Sequence, residues 1–210
     1  MRRIYTYYGG TTQTSVSGVF TYNSKGNPVS LLYNFVGTGN YNHYFLYNPD
    51  GSLKVWTTNP DLNGFATERH FYKYNSAGVC IQDSALYNPA GYASTYVSTF
   101  VYDNQGRIIK ETIKNILNEG GPLYPTRNPT FTYDSRGNLA VAGWKSSWYD
   151  YKINPLRQNK VFQFIFRNWS QNNPAVQPKY NSKGLPLSML PYNDMFFNAD
   201  HAWKVIYDCD

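Results

Sequence analysis

The chain is poor in the residues from which most active sites are built. Of 210 residues, two are Cys, three are His and three are Glu. That leaves little material for a disulfide framework or a clustered metal centre. Charged residues make up only 15%, with 19 Lys or Arg against 13 Asp or Glu and a net charge of +6. The basic residues are scattered singly except at Arg2-Arg3, so no nucleic-acid partner is expected. No apolar run approaches the ~20 residues of a membrane span. Met1-Arg2-Arg3-Ile4-Tyr5 runs straight into a strand pattern, so no leader peptide is expected within the chain. No amphipathic helix stands out either. The best candidate, 103–118, also reads as a strand leaving a turn, and the strand is preferred.

What the chain does have is Tyr (21 residues) and Asn (23 residues). Tyr and Thr favour strands, while Asn, Gly and Pro favour turns. The length suits one all-β domain. The motif Tyr-(Asn/Asp)-x-x-Gly occurs six times in phase, beginning at Tyr22, Tyr47, Tyr74, Tyr102, Tyr133 and Tyr180. The glycines are Gly26, Gly51, Gly78, Gly106, Gly137 and Gly184. Asn or Asp can bond its own backbone two residues on, and Gly can take the left-handed conformation. The pair specifies a type I turn closed by a Gly bulge, a three-residue hairpin loop. The Asx residue should then pair with the residue after Gly, and the Tyr with the residue two after Gly.

The sequence columns agree with that geometry. Two residues before each Tyr stand Phe20, Phe45, Tyr72, Phe100, Phe131 and Pro178; two after each Gly stand Pro28, Leu53, Cys80, Ile108, Leu139 and Pro186. Period-2 alternation places these on the Tyr face, which reads as the core. The Tyr-to-Tyr intervals are 25, 27, 28, 31 and 47 residues, so an insertion lies in the last. Tyr87-Asn88-Pro89-Ala90-Gly91 also fits the motif but falls out of phase, and reads as a loop at the opposite hairpin end. The expected layout is a single domain, 1–210, with regular hairpins over 1–142 and an irregular aromatic-rich part over 143–210.

Between Gly137 and Tyr180 the pattern breaks. Trp144, Trp148, Tyr149, Tyr151, Phe162, Phe164, Phe166 and Trp169 crowd a short span, within which 161–166 alternates as a strand. The region reads as a cap over the last open face, as an aromatic-lined binding surface, or as both.

Chemistry is sparse. His43 and His70 each lie four residues before a motif Tyr and read as a chance pair. No Gly-x-Ser-x-Gly nucleophile motif occurs. No cofactor motif and no metal-ligand spacing is present. Glu68 or Glu111 with Asp150 are the carboxylates left for a hydrolase, and nothing singles them out. Cys80 reads as a small buried hydrophobe that pairs with Cys209 only if their strands are neighbours. Flat aromatic rings on a rigid sheet suit sugar stacking. Trp56, Trp144, Trp148, Tyr149 and Trp169 are the candidate ligand-binding residues, with buried core or cap as their other reading.

The repeated Phe-x-Tyr-(Asn/Asp)-x-x-Gly unit resembles the YD repeats of Rhs and teneurin-type proteins, from about Gly18 to Ser188. With Tyr149-Asp150-Tyr151-Lys152-Ile153-Asn154-Pro155 and Asn172-Asn173-Pro174, it also resembles a family of Gram-negative surface lipoproteins of unknown function. That resemblance implies export to the outer surface or periplasm, and a lipid anchor in a longer precursor. It implies no catalytic residues.

The expected fold is therefore antiparallel β-hairpins forming a long twisted sheet, curled toward an open barrel or sandwich, with an aromatic C-terminal cap. The expected function is non-enzymatic binding of a glycan or protein partner at the cell surface. A glycosidase-like surface hydrolase and a structural subunit of an envelope assembly are the alternatives.

Overall fold

A computed structural model describes residues 3–6, 16–34, 41–58, 67–88, 93–140, 149–165, 167–174, 179–189 and 203–207. The chain is mostly β, and every described strand pairing is antiparallel. The first nine strands are β1 (Arg3–Thr6), β2 (Val16–Tyr22), β3 (Pro28–Tyr33), β4 (His43–Tyr47), β5 (Leu53–Thr58), β6 (Thr67–Tyr74), β7 (Cys80–Asn88), β8 (Ser94–Tyr102) and β9 (Ile108–Asn118). Shorter ones follow: β10 (Thr132–Tyr133), β11 (Leu139–Ala140), β12 (Tyr149–Ile153), β13 (Asn172–Pro174), β14 (Ser188–Met189) and β15 (Trp203–Ile206). Among the described residues a single α-helix, α1, spans Lys160–Ile165.

The chain divides into two compact units. Unit 1 joins both ends of the sequence, Met1–Phe35 with Thr132–Asp210, and unit 2 is Val36–Phe131. Unit 1 carries strands in the order β14-β15-β1-β2-β3, with the separate pairs β10-β11 and β12-β13. Unit 2 is a simple meander, β4 through β9 in chain order.

Each motif copy makes the same turn. The Asx N–H donates to the carbonyl of the residue after Gly, and the Gly N–H to the Asx carbonyl, all at 2.8–3.1 Å. The six glycines have φ between 73° and 88°. In five copies the Asx side chain accepts two backbone N–H groups, from the residues two and four ahead, at 2.8–3.0 Å. The copy at Asn48 differs: Asp50 Oδ1 takes the Ser52 N–H at 2.9 Å. Tyr pairs with the residue two after Gly in all six, from Tyr22↔Pro28 to Tyr180↔Pro186.

Immediately behind each of the four long hairpins lies a second irregularity. The register slips by one between Thr21 and Tyr22, Leu46 and Tyr47, Lys73 and Tyr74, and Val101 and Tyr102. Val29, Lys54, Ile81 and Ile109 are thereby left without a direct partner, each a β-bulge on the returning strand. The motif Tyr also does more than fill space. Tyr74 Oη donates to Leu53 O at 2.8 Å, and Tyr102 Oη to Cys80 O at 2.6 Å. Each hydroxyl thus binds the carbonyl that follows the turn of the preceding copy, stitching neighbouring hairpins together.

In unit 1, Phe20, Leu31, Leu139, Leu156, Phe162 and Ile165 are buried, and the Phe162 ring packs edge-on against Phe20 at 5.2 Å. In unit 2 the buried residues include Phe45, Leu53, Trp56, Tyr72, Cys80 and Ile108. The outer edge of β9 is covered by residues 127–131: Glu111 N–H donates to Pro129 O, and Ile113 and Arg127 exchange both bonds. Covering an edge in this way blocks further strand addition there.

One expectation is corrected. Residues 160–165 form a helix rather than a strand. The buried residues are Val161, Phe162 and Ile165, the i, i+1, i+4 spacing of a helix face. Asn159 caps it, its Oδ1 accepting the Val161 N–H at 2.8 Å. A 3-10 turn, Pro155–Gln158, leads in, with Asn154 as its N-cap and Pro at the first position. Cap chemistry overrode the short apolar alternation. Tyr87 and Asn88 end β7 and β8 opens at Ser94, so the out-of-phase copy does join β7 to β8.

Candidate functional site

Where the motif breaks, the chain still begins a hairpin. Tyr149 is buried and its hydroxyl donates to Leu139 O at 2.8 Å, the same bond that Tyr74 and Tyr102 make. Burial raises its pKa, against the lowering effect of its contact with Ser170. Asp150 Oδ1 accepts the Lys152 N–H at 2.8 Å, as the turn Asx residues do. No glycine follows. Asp150 accepts the Asn173 N–H at 3.1 Å, tying β12 to β13. Behind them the polar side chains of Asn138, Asn154, Asn168 and Ser170 are fully or almost fully buried. They act as backbone partners: Ser170 Oγ accepts Leu139 N–H at 2.9 Å, Asn138 Oδ1 accepts Asn172 N–H at 2.8 Å, and Asn168 Oδ1 accepts Ser170 N–H at 2.9 Å. Amide side chains here replace the sheet ladder and fix irregular backbone.

On this scaffold β12 presents a rim. Tyr149 faces inward, whereas Tyr151 is 89% exposed and Ile153 is 67% exposed. The pairing of β12 with β13 is irregular between Tyr149 and Ile153, which turns the strand. The Arg136 guanidinium lies 5.0 Å from the Tyr151 ring centre, and its Nη1 donates to Asp150 O at 3.3 Å. Lys152 Nζ stands 5.2 Å from the Tyr180 ring centre. The rim thus offers one exposed ring with the Arg136 guanidinium over it, an aliphatic neighbour, and a second cation, Lys152, over the Tyr180 ring.

Unit 2 holds the strongest concentration of buried ionisable groups. Trp56 is fully buried between two imidazoles, 5.8 Å from the His43 ring and 4.4 Å from the His70 ring. Trp56 Nε1 donates to His43 Nδ1 at 3.1 Å. Burial lowers the His43 pKa to about 3, so this imidazole is neutral. His70 behaves oppositely. Burial would lower its pKa, but hydrogen bonding and charge from Asp83, then Glu68, outweigh that and raise it to about 9. Its Nδ1 lies 2.9 Å from Asp83 Oδ1 and its Nε2 2.9 Å from Glu68 Oε1. His70 is therefore an imidazolium clamped by two carboxylates. Tyr87 is pushed up by burial and then by the nearby Glu68 charge. Among the described residues no group of three His, Cys, Asp or Glu could hold a metal ion.

No protein-family model matches the chain, and no curated protein matches it in sequence.

The structure separates the residues singled out from sequence. Trp56 is fully buried, so it is a core residue and not a surface platform; the cause is its place between two imidazoles on adjacent strands. Tyr149 is likewise buried, because its hydroxyl serves the Leu139 carbonyl. Trp169 is half-buried, edge-on to Phe164 at 6.5 Å. Trp144 and Trp148 lie outside the described residues, as does Cys209. Cys80 is buried, its Sγ 3.5 Å from Gln82 O. His43 and His70 are not a chance pair: both stack on Trp56. Tyr151 and Arg136 were not singled out as ligand residues. Tyr151 stands two residues from Tyr149, and Arg136 inside the fifth turn.

Proposed function

We propose that the chain is a non-enzymatic, exported protein that binds a glycan at the cell surface through the rim of β12. The observation that carries this reading is Tyr151, a ring 89% exposed on a strand anchored by buried Asn side chains and by Asp150. An exposed ring packs on the apolar face of a pyranose, while the Arg136 guanidinium over it, and the Lys152 ammonium at the Tyr180 ring, supply donors for sugar oxygens. A preformed platform avoids the cost of ordering a loop on binding.

Binding is favoured over the hydrolase alternative by where the carboxylates are engaged. Asp83 and Glu68 both clamp His70, and Glu111 is buried. An exported setting draws support from the low charge and the high Asn and Tyr content. It also draws on the resemblance to Gram-negative surface lipoproteins, which brings with it a lipid anchor in a longer precursor. The recurring turn and tyrosine bonds support the YD-repeat reading.

A glycan array probed with the intact chain and with Tyr151→Ala tests the proposal. Losing a central aromatic anchor should weaken binding about tenfold or more. A blank array with the intact chain, or equal binding by Tyr151→Ala, would sink it.

A further inference from the structure

The charges of unit 2 are sorted by face. In residues 36–131 acidic and basic side chains balance one for one. On the strands they do not mix. Glu68, Asp83 and Glu111 lie on the inner face with Trp56, His70 and Ser98. His70 bonds two of them, and Glu111 is buried. Arg69, Lys73, Lys110 and Lys114 are all exposed and stand on the outer face. Their cross-strand partners are uncharged: Arg69 sits between Thr57 and Leu86, Lys73 opposite Gln82, Lys110 opposite Val101 and Lys114 opposite Val97. No acidic side chain of β4–β9 shares that face.

The four cations frame a patch. Arg69 and Lys73 on β6 are about 13 Å apart along the strand, as are Lys110 and Lys114 on β9, and the two strands are about 14 Å apart. Between them lie Gln82, Ser84, Thr95 and Thr99, which carry hydroxyl or amide groups, together with the half-buried Leu86 and Val97 and with Phe71, 45% exposed. Such a face is electrostatically uncompensated, rigid, and rich in neutral donors and acceptors.

We propose that this outer face is a second binding site, and that its ligand is an acidic polysaccharide bearing carboxylate or sulfate groups. The polar, charged and aromatic side chains of the patch have counterparts in that ligand. The cations meet the acid groups, the Thr, Ser and Gln side chains meet hydroxyls, and the Phe71 ring meets a sugar face. A bilayer surface fits less well, because Gln82, Ser84, Thr95 and Thr99 would face acyl chains at the centre of the patch. Duplex DNA supplies the charge but no hydroxyl-rich surface for those groups.

The test uses the intact chain on immobilised polygalacturonate, with dextran as the neutral control and salt elution as the readout. Retention on polygalacturonate and not on dextran is expected, with affinity falling as salt rises. The variant with Arg69, Lys73, Lys110 and Lys114 all changed to Gln should bind at least about tenfold more weakly. A charge-matched variant at Lys25, Lys160, Lys179 and Lys183 should keep most of the affinity. Equal loss in both variants would reduce the effect to net charge and overturn the site. Tighter binding to phosphatidylglycerol vesicles or to duplex DNA would overturn the ligand. Lysine acetylation of the unmodified protein guards against misfolding of the variant. Lys73, Lys110 and Lys114 should be protected by polygalacturonate while Lys25 and Lys183 are not, and the absence of that contrast also refutes the proposal.

Discussion

Unit 2 should lose stability as the solution is made mildly alkaline, because of one side chain. In the folded state His70 titrates at about 9, against an ordinary value of 6.5. Folding therefore favours the protonated ring. The stabilisation is fully present below pH 6.5 and disappears as the pH rises through 9. Each pKa unit corresponds to about 1.36 kcal/mol, so the elevation amounts to about 3 kcal/mol. That is a large share of the stability of a typical domain. The two carboxylates should not contribute equally. Asp83 is buried beside Nδ1, whereas the Glu68 side chain is 21% exposed and better screened. Asp83→Asn should remove more of the pH dependence than Glu68→Gln, and His70→Gln should remove it altogether. The assay is urea unfolding at half-unit pH steps from 6 to 9.5, with the wild-type minus His70→Gln difference as the readout. A difference that is flat across that range would refute the clamped imidazolium. So would an imidazole resonance from His70 that titrates near 6.5.

His43 predicts the opposite slope. Its folded pKa is lowered to about 3, so its contribution is present above pH 6.5 and should fall by about 3 kcal/mol by pH 4, a loss that His43→Gln would lack in the same unfolding assay. Tyr102→Phe removes the 2.6 Å bond to Cys80 O and should cost about 1 kcal/mol by chemical denaturation; no loss would mean that the hydroxyl does not stitch the hairpins. Gly106→Ala isolates the turn requirement, because at φ +74° an added Cβ meets no atom within 4 Å; the expected loss is about 1–2 kcal/mol of backbone strain alone. Gly137→Ala has a similar φ, and its Cβ would lie 2.9 Å from Gln171 Nε2 and 3.1 Å from Gln171 Cγ; because Gln171 is exposed and can swing away, the loss should stay within about 1 kcal/mol of that at Gly106.

The turns were legible in the sequence because they are local. Asx and Gly act over five residues, and the pairing of Tyr22 with Pro28 or Tyr74 with Cys80 follows from them. Long strands followed from alternation and from the lack of an amphipathic helical pattern. Helix α1 is illegible in the pattern because six residues cannot distinguish the two periods, and what decides it is the Asn159 cap. The candidate surface was harder to read. Trp56 and Tyr151 are both aromatic residues on strands, yet one is fully buried and the other 89% exposed. That difference depends on which face each side chain takes and on what covers it, and neither is encoded within a few residues.

The second bulge explains why the charge pattern was invisible from the motif alone. Counting back from Tyr74↔Cys80 without a bulge would set Tyr72 opposite Gln82 and send Asp83 to the outer face. With Ile81 bulged out, Tyr72 pairs with Asp83 instead, and the carboxylate reaches His70. The same slip at Ile109 sets Phe100 opposite Glu111 rather than Lys110. A one-residue change of register exchanges every side chain between the two faces. Two bulges therefore place Asp83 and Glu111 inside and Lys110 and Lys114 outside, from strands whose sequence interleaves both signs. The buried imidazolium clamp and the exposed basic face are two consequences of that single device. Deleting Ile81 should accordingly do more than remove an exposed side chain: it should turn Asp83 outward, leave Glu68 as the remaining carboxylate on His70, and shrink the alkaline loss of stability as Asp83→Asn does.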